Sequence, residues 1–309
     1  MLFQWPTIEQ ISYRFMRLRR LIAVAVMVPM LVLLTLSWAD PLALSAYHAS
    51  LAALGICALV TAHAVFFPNV TLETLALSVA ATLLVVAMPW IKAVSLWAPQ
   101  PHETAALLIL TGFAVAATGV LMALVQIVIG GLVFAGPVVR KTLTTTTVVP
   151  CSPNVAFQQF ALRPQIRRGR VLTGPEDENG FFDVAVAAAQ TDGESDEVVR
   201  LDAKVMQSSA EQHDVMLLLR NGSVTVTSLS FRPVSDGCEI QVRDLPGDFT
   251  AGMHLVFWLT DQQADNLTET TDLVFGNTAR ANGLAHNGSL LAAAGAVLSP
   301  RAPDVQRPE

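Results

Sequence analysis

The sequence predicts a two-part protein, an all-α transmembrane bundle of four helices followed by a soluble α+β domain. Hydrophobic residues make up 52% of the 309 residues and charged residues only 14%, whereas charged residues are about a quarter of a typical soluble protein. The charge is also divided unevenly, with a net charge of +3 over residues 1–141 and −9 over residues 142–309. This asymmetry indicates that the two parts occupy different environments.

Four apolar runs follow a basic N-terminal segment, residues 1–20, which we expect to be cytoplasmic. Each run is long enough to cross the hydrocarbon core of a bilayer as a helix. They span residues 21–38, 46–67, 71–91 and 104–139, which together define a transmembrane region at 21–139. As one helix the last run would be roughly 54 Å long, more than the ~30 Å core. We therefore expect it to extend beyond the bilayer or to break near Gly130–Gly131 or Gly136–Pro137.

The distribution of basic residues predicts the orientation. Four arginines precede the first run, and Arg140 and Lys141 follow the last one, whereas residues 39–45 contain no Lys or Arg. By the positive-inside rule both termini are cytoplasmic, and we expect the protein in a bacterial inner membrane. Within the runs, His63 and Gln126 are expected to bond between helices, and Glu73 to anchor a helix end at the interface.

The soluble part begins with a strand and a short helix. Residues 142–149 are rich in Thr and Val, which favour strands, and Pro150 ends the run. Ser152–Pro153 provides a helix cap with Pro in the first turn, before a short amphipathic helix containing Phe157.

From residue 169 onward the apolar pattern has period two and predicts six strands. Asn221–Gly222 and Asp236–Gly237 are typical hairpin turns, so these strands form an antiparallel meander. Residues 250–284 then predict one long helix or two. Residues 285–309, rich in Ala, Gly and Pro, predict a disordered tail.

This order of elements, with VVPCSPNVAFQQF at residues 148–160 and SLSFRPVSDGCEIQV at residues 228–242, resembles the helix-grip superfamily. That superfamily contains START domains, Bet v 1-like proteins and polyketide cyclases, and is also named SRPBCC. The resemblance covers residues 142–284. It implies a curved antiparallel sheet around the C-terminal helix, with an apolar cavity between them for a lipid-like or polycyclic ligand. The cavity-lining residues that it implies are Phe182, Val184, Met216, Leu218, Val226, Met253, Phe257 and Trp258.

Few residues suggest chemistry. Arg167, Arg168 and Arg170 are candidates for contact with phospholipid head groups, and His254 and Asp261 are the candidate acid and base. No catalytic motif is present, and we predict no cofactor and no metal site, because the three cysteines and the histidines are widely spaced. The acidic C-terminal half argues against nucleic-acid binding.

The sequence therefore favours a membrane-anchored cytoplasmic module that binds a hydrophobic small molecule or lipid. One alternative is a cyclase- or hydratase-type enzyme that uses the same cavity. The other is a small transporter or assembly subunit whose soluble domain is regulatory. The expected partners are membrane lipids, a hydrophobic ligand and further copies of the chain, joined through the transmembrane helices.

Overall fold

The structure is a computed structural model that describes residues 5–41, 44–95, 103–168, 171–187, 198–219 and 222–277. Arg170, Asn221 and the predicted tail at 285–309 lie outside these ranges. The chain divides into two compact units. One contains the helices between residues 21 and 130, and the other joins residues 1–20 to the sheet region at 131–286.

Helix α1 (Ile8–Arg17) opens the chain, and four longer helices follow it. They are α2 (Arg19–Ala39), α3 (Ala46–Phe66), α4 (Thr71–Ser95) and α5 (Glu103–Phe134). Among the residues that the structure describes, three helical segments are long and apolar enough to cross a membrane: α2, α3 and Ala116–Phe134 of α5. The apolar part described in α4, Thr71–Ala87, is shorter, so the fourth span remains a prediction.

Helix α5 is continuous through Gly130–Gly131 and ends at Phe134. Gly136 follows with a φ of +107°, a conformation that favours glycine. The chain therefore leaves the helix at the second of the two predicted break points. The helix is roughly 48 Å long at 1.5 Å per residue.

The helical unit is held together largely by small residues. Ala25 of α2, Ala49 and Ala53 of α3, and Ala81 of α4 are buried in one cluster with Leu33, Ile56 and Val60. Small side chains let helices approach closely, as is typical of membrane helices. The Ser78 hydroxyl of α4 adds an interhelical hydrogen bond to the Ala25 carbonyl.

The second unit is built on one eight-stranded antiparallel sheet. Its strands are β1 (Leu143–Val149), β2 (Arg167–Arg168), β3 (Val171–Glu176), β4 (Phe181–Ala187), β5 (Val198–Ser208), β6 (Gln212–Leu218), β7 (Val224–Val234) and β8 (Gly237–Leu245). The spatial order is β1-β8-β7-β6-β5-β4-β3-β2. The predicted antiparallel meander corresponds to β3–β8, and the first strand closes the sheet by pairing with the last.

Three helices accompany the sheet: α6 (Pro153–Phe160), α7 (Ala251–Thr260) and α8 (Gln262–Phe275). Phe160 of α6 and Leu267 of α8 pack against Phe231 and Ile240 on one face of the sheet, the inner face. A second cluster on the same face contains Phe182, Val184, Ala203 and Val215. The segment expected to be one long helix or two is two helices, because Asp261 adopts a left-handed conformation, with φ +51° and ψ +37°.

The predicted turn at Asp236–Gly237 joins β7 to β8, where Val149 of β1 pairs with Cys238. Gly237 has a φ of +140°, and a Cβ atom there would lie 2.1 Å from the Val149 carbonyl oxygen. Only glycine fits between the turn and the end of β1.

We predict that Gly237→Ala destabilises the sheet unit by about 3 kcal/mol, since it adds both a steric clash and backbone strain. Gly222→Ala is the matched control, because Gly222 also has a positive φ but has open space around its Cβ position. The melting temperature of the detergent-solubilised protein is the measurement. Equal shifts in the two variants would contradict the role of the close approach.

Helix α1 packs against α7 and α8 through a buried ion pair. The Arg17 guanidinium lies 3.0 Å from the Asp265 carboxylate, and both side chains are almost fully buried. Arg17 Nε also donates to the Thr260 carbonyl oxygen at the end of α7, at 3.1 Å. The Tyr13 hydroxyl donates to Asp265 at 2.8 Å. Burial, and then the Asp265 carboxylate, raises the pKa of Tyr13, so its phenol stays protonated and can donate.

Arg14, beside Arg17 on α1, is also buried. Burial and then the Arg17 charge lower its pKa to about 10, so it remains charged at neutral pH. Two of the four arginines that the sequence places in the basic N-terminal segment are thus buried in the folded unit.

We predict that Asp265→Asn costs about 3–5 kcal/mol, because it leaves the Arg17 charge buried without its counter-charge. Asp261→Asn is the control. Asp261 pairs with Arg20 at 3.4 Å, and each side chain is about one-third exposed, so its loss costs less than about 1 kcal/mol. Thermal unfolding of both variants in detergent tests this, and an Asp265→Asn variant as stable as the wild type would show that the pair adds nothing.

Candidate ligand groove

The best candidate site is a groove of about 200 Å³ between α8 and the β2–β4 end of the sheet. Val171 of β3 and Val186 of β4 form its floor, and Leu273 of α8 faces them. Asn266, Glu269 and Thr270 of α8 provide polar groups, and Arg168 lies at the edge of the sheet. The groove therefore combines an apolar floor with one basic residue, Arg168, and one acidic residue, Glu269.

Helix α8 is fixed over the other end of the sheet. Gln263 Nε2 donates to Asp244 Oδ2 of β8 at 2.8 Å and to the Leu143 carbonyl oxygen of β1 at 3.3 Å. The Thr145 hydroxyl donates to Gln263 Oε1 at 2.9 Å. These bonds anchor the start of α8 at β1 and β8, and its later turns border the groove at β3 and β4.

Arg168 is held by the loop between α6 and β3. Its Nη1 donates to the Gln159 carbonyl oxygen. The buried Thr173 fixes the same loop, since its hydroxyl donates to the Arg163 carbonyl oxygen at 2.7 Å and accepts from the Ile166 amide at 2.8 Å. Burial, and then the nearby Arg163 charge, lower the pKa of Arg168. Both effects disfavour its positive charge, so a bound anion would be stabilised at this position.

The three arginines considered as head-group contacts differ in position. Arg168 lines the groove, Arg167 is exposed on β2, and Arg170 lies outside the described residues. The structure thus brings one of the three to the candidate site.

The strand register separates the expected cavity residues. Phe182 and Val184 are buried on the inner face. Val215 and Leu217 of β6 point inward. Met216 and Leu218 are their neighbours along the strand, and Met216 pairs with Val226 of β7. Because neighbouring side chains on a strand alternate between faces, Met216, Leu218 and Val226 lie on the outer face. Their expected inward direction is corrected by this register.

Leu218 instead borders two shallow depressions on the outer face. These have volumes of about 360 and 340 Å³ and include Asp183 and Asp202. Of the residues described, the first is lined by two aspartates and Arg200, and the second by three aspartates and no basic residue. Acidic groups outnumber basic ones in both, which does not suit an anionic ligand.

The other three expected lining residues, Met253, Phe257 and Trp258, belong to α7. The break at Asp261 separates this helix from α8, and Trp258 is 54% exposed. The side chain of Phe257 packs edge-on against Phe249, with ring centroids 4.6 Å apart. None of the three borders the groove, which is lined on the helical side by α8 alone.

His254 and Asp261, the candidate acid and base, serve structural contacts. His254 is buried, and its Nε2 donates to the Val139 carbonyl oxygen at 2.8 Å. Asp261 forms the junction of α7 and α8 and pairs with Arg20. No ion pair between histidine and a carboxylate occurs among the described residues of the sheet unit.

His213 is a fully buried histidine on the inner face of β6. Its Nε2 lies 2.8 Å from the Leu162 carbonyl oxygen, and its Nδ1 lies 3.1 Å from the Ser208 hydroxyl. A carbonyl oxygen only accepts, so Nε2 carries the proton and the Ser208 hydroxyl donates to Nδ1 in the neutral ring. Burial is the main cause of a lowered pKa. The Leu162 carbonyl and Asp214 oppose this effect, and Arg163 adds to it.

In the helical unit, His63 and Glu73 form a buried pair between α3 and α4. His63 Nε2 lies 3.0 Å from Glu73 Oε1, and Nδ1 lies 3.0 Å from the Thr74 hydroxyl. The predicted interhelical bond of His63 is therefore present. Glu73 is buried rather than an exposed anchor, because the α3–α4 connection folds it back onto His63.

No protein-family model matches the chain, and no curated protein matches it. Solved structures of small bacterial proteins are similar to the C-terminal half. One from Mesorhizobium loti is 10% identical, with 45% of this chain and 98% of that chain covered and a TM-score of 0.32. One from Chromobacterium violaceum is 13% identical, with 43% of this chain and 96% of that chain covered and a TM-score of 0.32. A third, from Nitrosomonas europaea, is 11% identical, with 45% of this chain and 96% of that chain covered and a TM-score of 0.33. At such values these likenesses assign no family or activity to this chain.

We predict that the sheet unit loses stability as the pH falls through the ordinary His pKa of about 6.5. His213 takes up a proton more readily in the unfolded chain than in the folded one, because its folded pKa is lowered. The loss is at most about 1.4 kcal/mol per pH unit. It stops where the pH falls below the folded pKa.

His213→Gln tests this prediction, since the glutamine amide can still donate to the Leu162 carbonyl but does not titrate. Melting temperatures between about pH 7.5 and about pH 5.5, which bracket the ordinary value, are expected to fall less in this variant than in the wild type. His48→Gln, at an exposed position in α3, is the control and should retain the wild-type slope. An unchanged slope in His213→Gln would assign the acid sensitivity to other groups.

Proposed function

We propose that the sheet unit is a membrane-tethered module that binds an anionic, lipid-like molecule in the groove between α8 and β3–β4. The Arg168 side chain would bind the acidic group, and Val171, Val186 and Leu273 would contact the apolar part. The fold would then be of the helix-grip type, with α8, rather than the whole C-terminal helical segment, facing the sheet.

One observation carries this proposal. The same groove contains Arg168, whose positive charge is disfavoured by burial and by Arg163, and an apolar floor. Desolvation strengthens an ion pair with a bound carboxylate or phosphate, and the valines offer apolar surface to a chain. The volume of about 200 Å³ is smaller than the ~300–1,000 Å³ of most ligand pockets. It suits part of an acyl chain better than a polycyclic molecule.

The helices before the sheet support a membrane source for such a ligand. We propose that α4 is a fourth span beside the three segments that satisfy the length and hydropathy requirements. An even number of spans, with Arg140 and Lys141 after the last helix, would put both termini in the cytoplasm of a bacterial cell by the positive-inside rule. The sheet unit would then face the inner leaflet.

The structure supports the enzyme and transporter alternatives less than it supports ligand binding. An enzyme using His254 and Asp261 needs these side chains to meet at a cavity, whereas one binds Val139 and the other Arg20. For a transporter, the nearest observation is the buried His63–Glu73 pair, since intramembrane ionisable groups often mark pathways. Both groups are bonded to each other and His63 also to Thr74, so we assign them to holding α3 against α4.

We predict that Val186→Trp lowers ligand binding at least about tenfold, because an indole fills the groove and removes apolar contact area. Val224→Trp is the matched control, since Val224 is a strand valine on the outer face. The probe is a fatty acid with a photoreactive diazirine at its end, added to the full-length protein in nanodiscs. The measurement is the yield of crosslinks to peptides from β3 and α8.

A second variant tests the charge of Arg168 separately from the shape of the groove. Arg168→Gln should reduce crosslinking of the fatty acid more than that of its uncharged methyl ester. Equal yields in Val186→Trp and Val224→Trp, or wild-type crosslinks confined to residues 21–130, would overturn the proposed function.

A further inference from the structure

Helix α1 has its charged side turned inward. Arg14 and Arg17 are buried, and Tyr13 bonds to Asp265 of α8. Tyr13 and Arg14 lie four and three positions before Arg17, on the same side of the helix. The polar side of this amphipathic helix is therefore buried in the unit. A helix on the surface of a water-soluble protein normally buries its apolar side instead.

The opposite side of α1 is largely apolar and is exposed. Ile8 is 86% exposed, Met16 57% and Phe15 45%, and Trp5, just before the helix, is 76% exposed. At 100° per residue, Ile8, Phe15 and the polar Ser12 point in nearly the same direction, with Met16 beside them. Trp5 and Arg19 lie beyond the two ends of the helix. We call Trp5, Ile8, Phe15, Met16 and Arg19 the α1 outer face. An apolar surface of this kind marks an interaction site.

Chain connectivity indicates what covers this face. Leu18 alone separates α1 from α2, which begins at Arg19 and is long and apolar enough to cross a membrane. The C-terminal end of α1 is therefore held within a few ångströms of the start of this span, and its N-terminal end lies about 15 Å farther along the helix at most. A further protein or a second copy would have to bind in that same zone.

The charges at the junction fit phospholipid head groups. Arg19 is exposed, and the half-buried Arg20 guanidinium lies 5.1 Å from the ring centroid of Trp258, which is itself exposed on α7. Tryptophan and arginine side chains favour the interface between hydrocarbon and water. The residues around the junction thus combine apolar, aromatic and cationic groups.

We propose that α1 lies parallel to the membrane plane, with Trp5, Ile8, Phe15 and Met16 inserted at the level between head groups and acyl chains of an anionic bilayer. Apolar burial would supply the main attraction, and Arg19 would add attraction to lipid phosphates. Because Arg17 bonds to Asp265 and Thr260, this contact also fixes the direction in which α7 and α8 face the bilayer.

Site-directed spin labelling tests the proposal on the full-length protein. After replacement of Cys57, Cys151 and Cys238, a nitroxide is attached at Ile8→Cys or Phe15→Cys in nanodiscs of phosphatidylcholine and phosphatidylglycerol. Met206→Cys, at an exposed site on β5, is the control. The readout is the collision rate with oxygen, which is enriched in lipid, relative to that with a water-soluble nickel complex.

We expect this oxygen-to-nickel ratio to be several-fold higher at positions 8 and 15 than at position 206. A low ratio at all three positions would show that the α1 outer face is in water and would overturn the proposal. Dipolar broadening between labels at position 15, absent after dilution with unlabelled protein, would overturn it in favour of contact between two copies. Since none of these labels lies in the groove, the result is independent of ligand binding there.

Discussion

Pairing between β1 and β8 is the constraint on which the architecture of the sheet unit depends. Seven consecutive residue pairs, from Leu143↔Asp244 to Val149↔Cys238, join the first strand after the helices to the last strand of the meander. This pairing places Leu143 and Asp244 together at the start of α8, where Gln263 bonds to both. The direction of α8, and hence the groove beneath its last turns, follows from these contacts. Gly237 is required because the end of β1 lies so close to the β7–β8 turn.

The sequence predicted the parts of the fold that depend on local pattern. Period-two alternation and the Asp236–Gly237 turn located the antiparallel strands, and uncharged runs located the long helices. The register was less accessible. Met216, Leu218 and Val226 are as apolar as Val215 and Leu217, and nothing local distinguishes the inner face from the outer face of β6 and β7. His213 lies on the inner face of β6, but a single histidine in a sequence does not reveal whether it is buried.

The candidate site was only partly predictable for a related reason. Arg168 was considered among three neighbouring arginines, and its distinction from Arg167 arises from strand alternation and from the Thr173 hydrogen bonds. The break at Asp261 was also hidden, because aspartate in a left-handed conformation has no clear sequence signature. It changes the site, since Met253, Phe257 and Trp258 belong to α7, before the break, and of the described helices only α8 borders the groove. Long-range contacts such as Arg17–Asp265, 248 positions apart, likewise have no local signature.

The sheet unit is attached to apolar helices on both sides, through Leu18 into α2 and through Gly136 from α5. If the ligand comes from the bilayer, its search is two-dimensional, and the relevant concentration is its mole fraction among neighbouring lipids. A groove of modest volume and modest intrinsic affinity can then be well occupied. The small size of the groove is thus compatible with high occupancy, as long as the tethers hold it at the membrane.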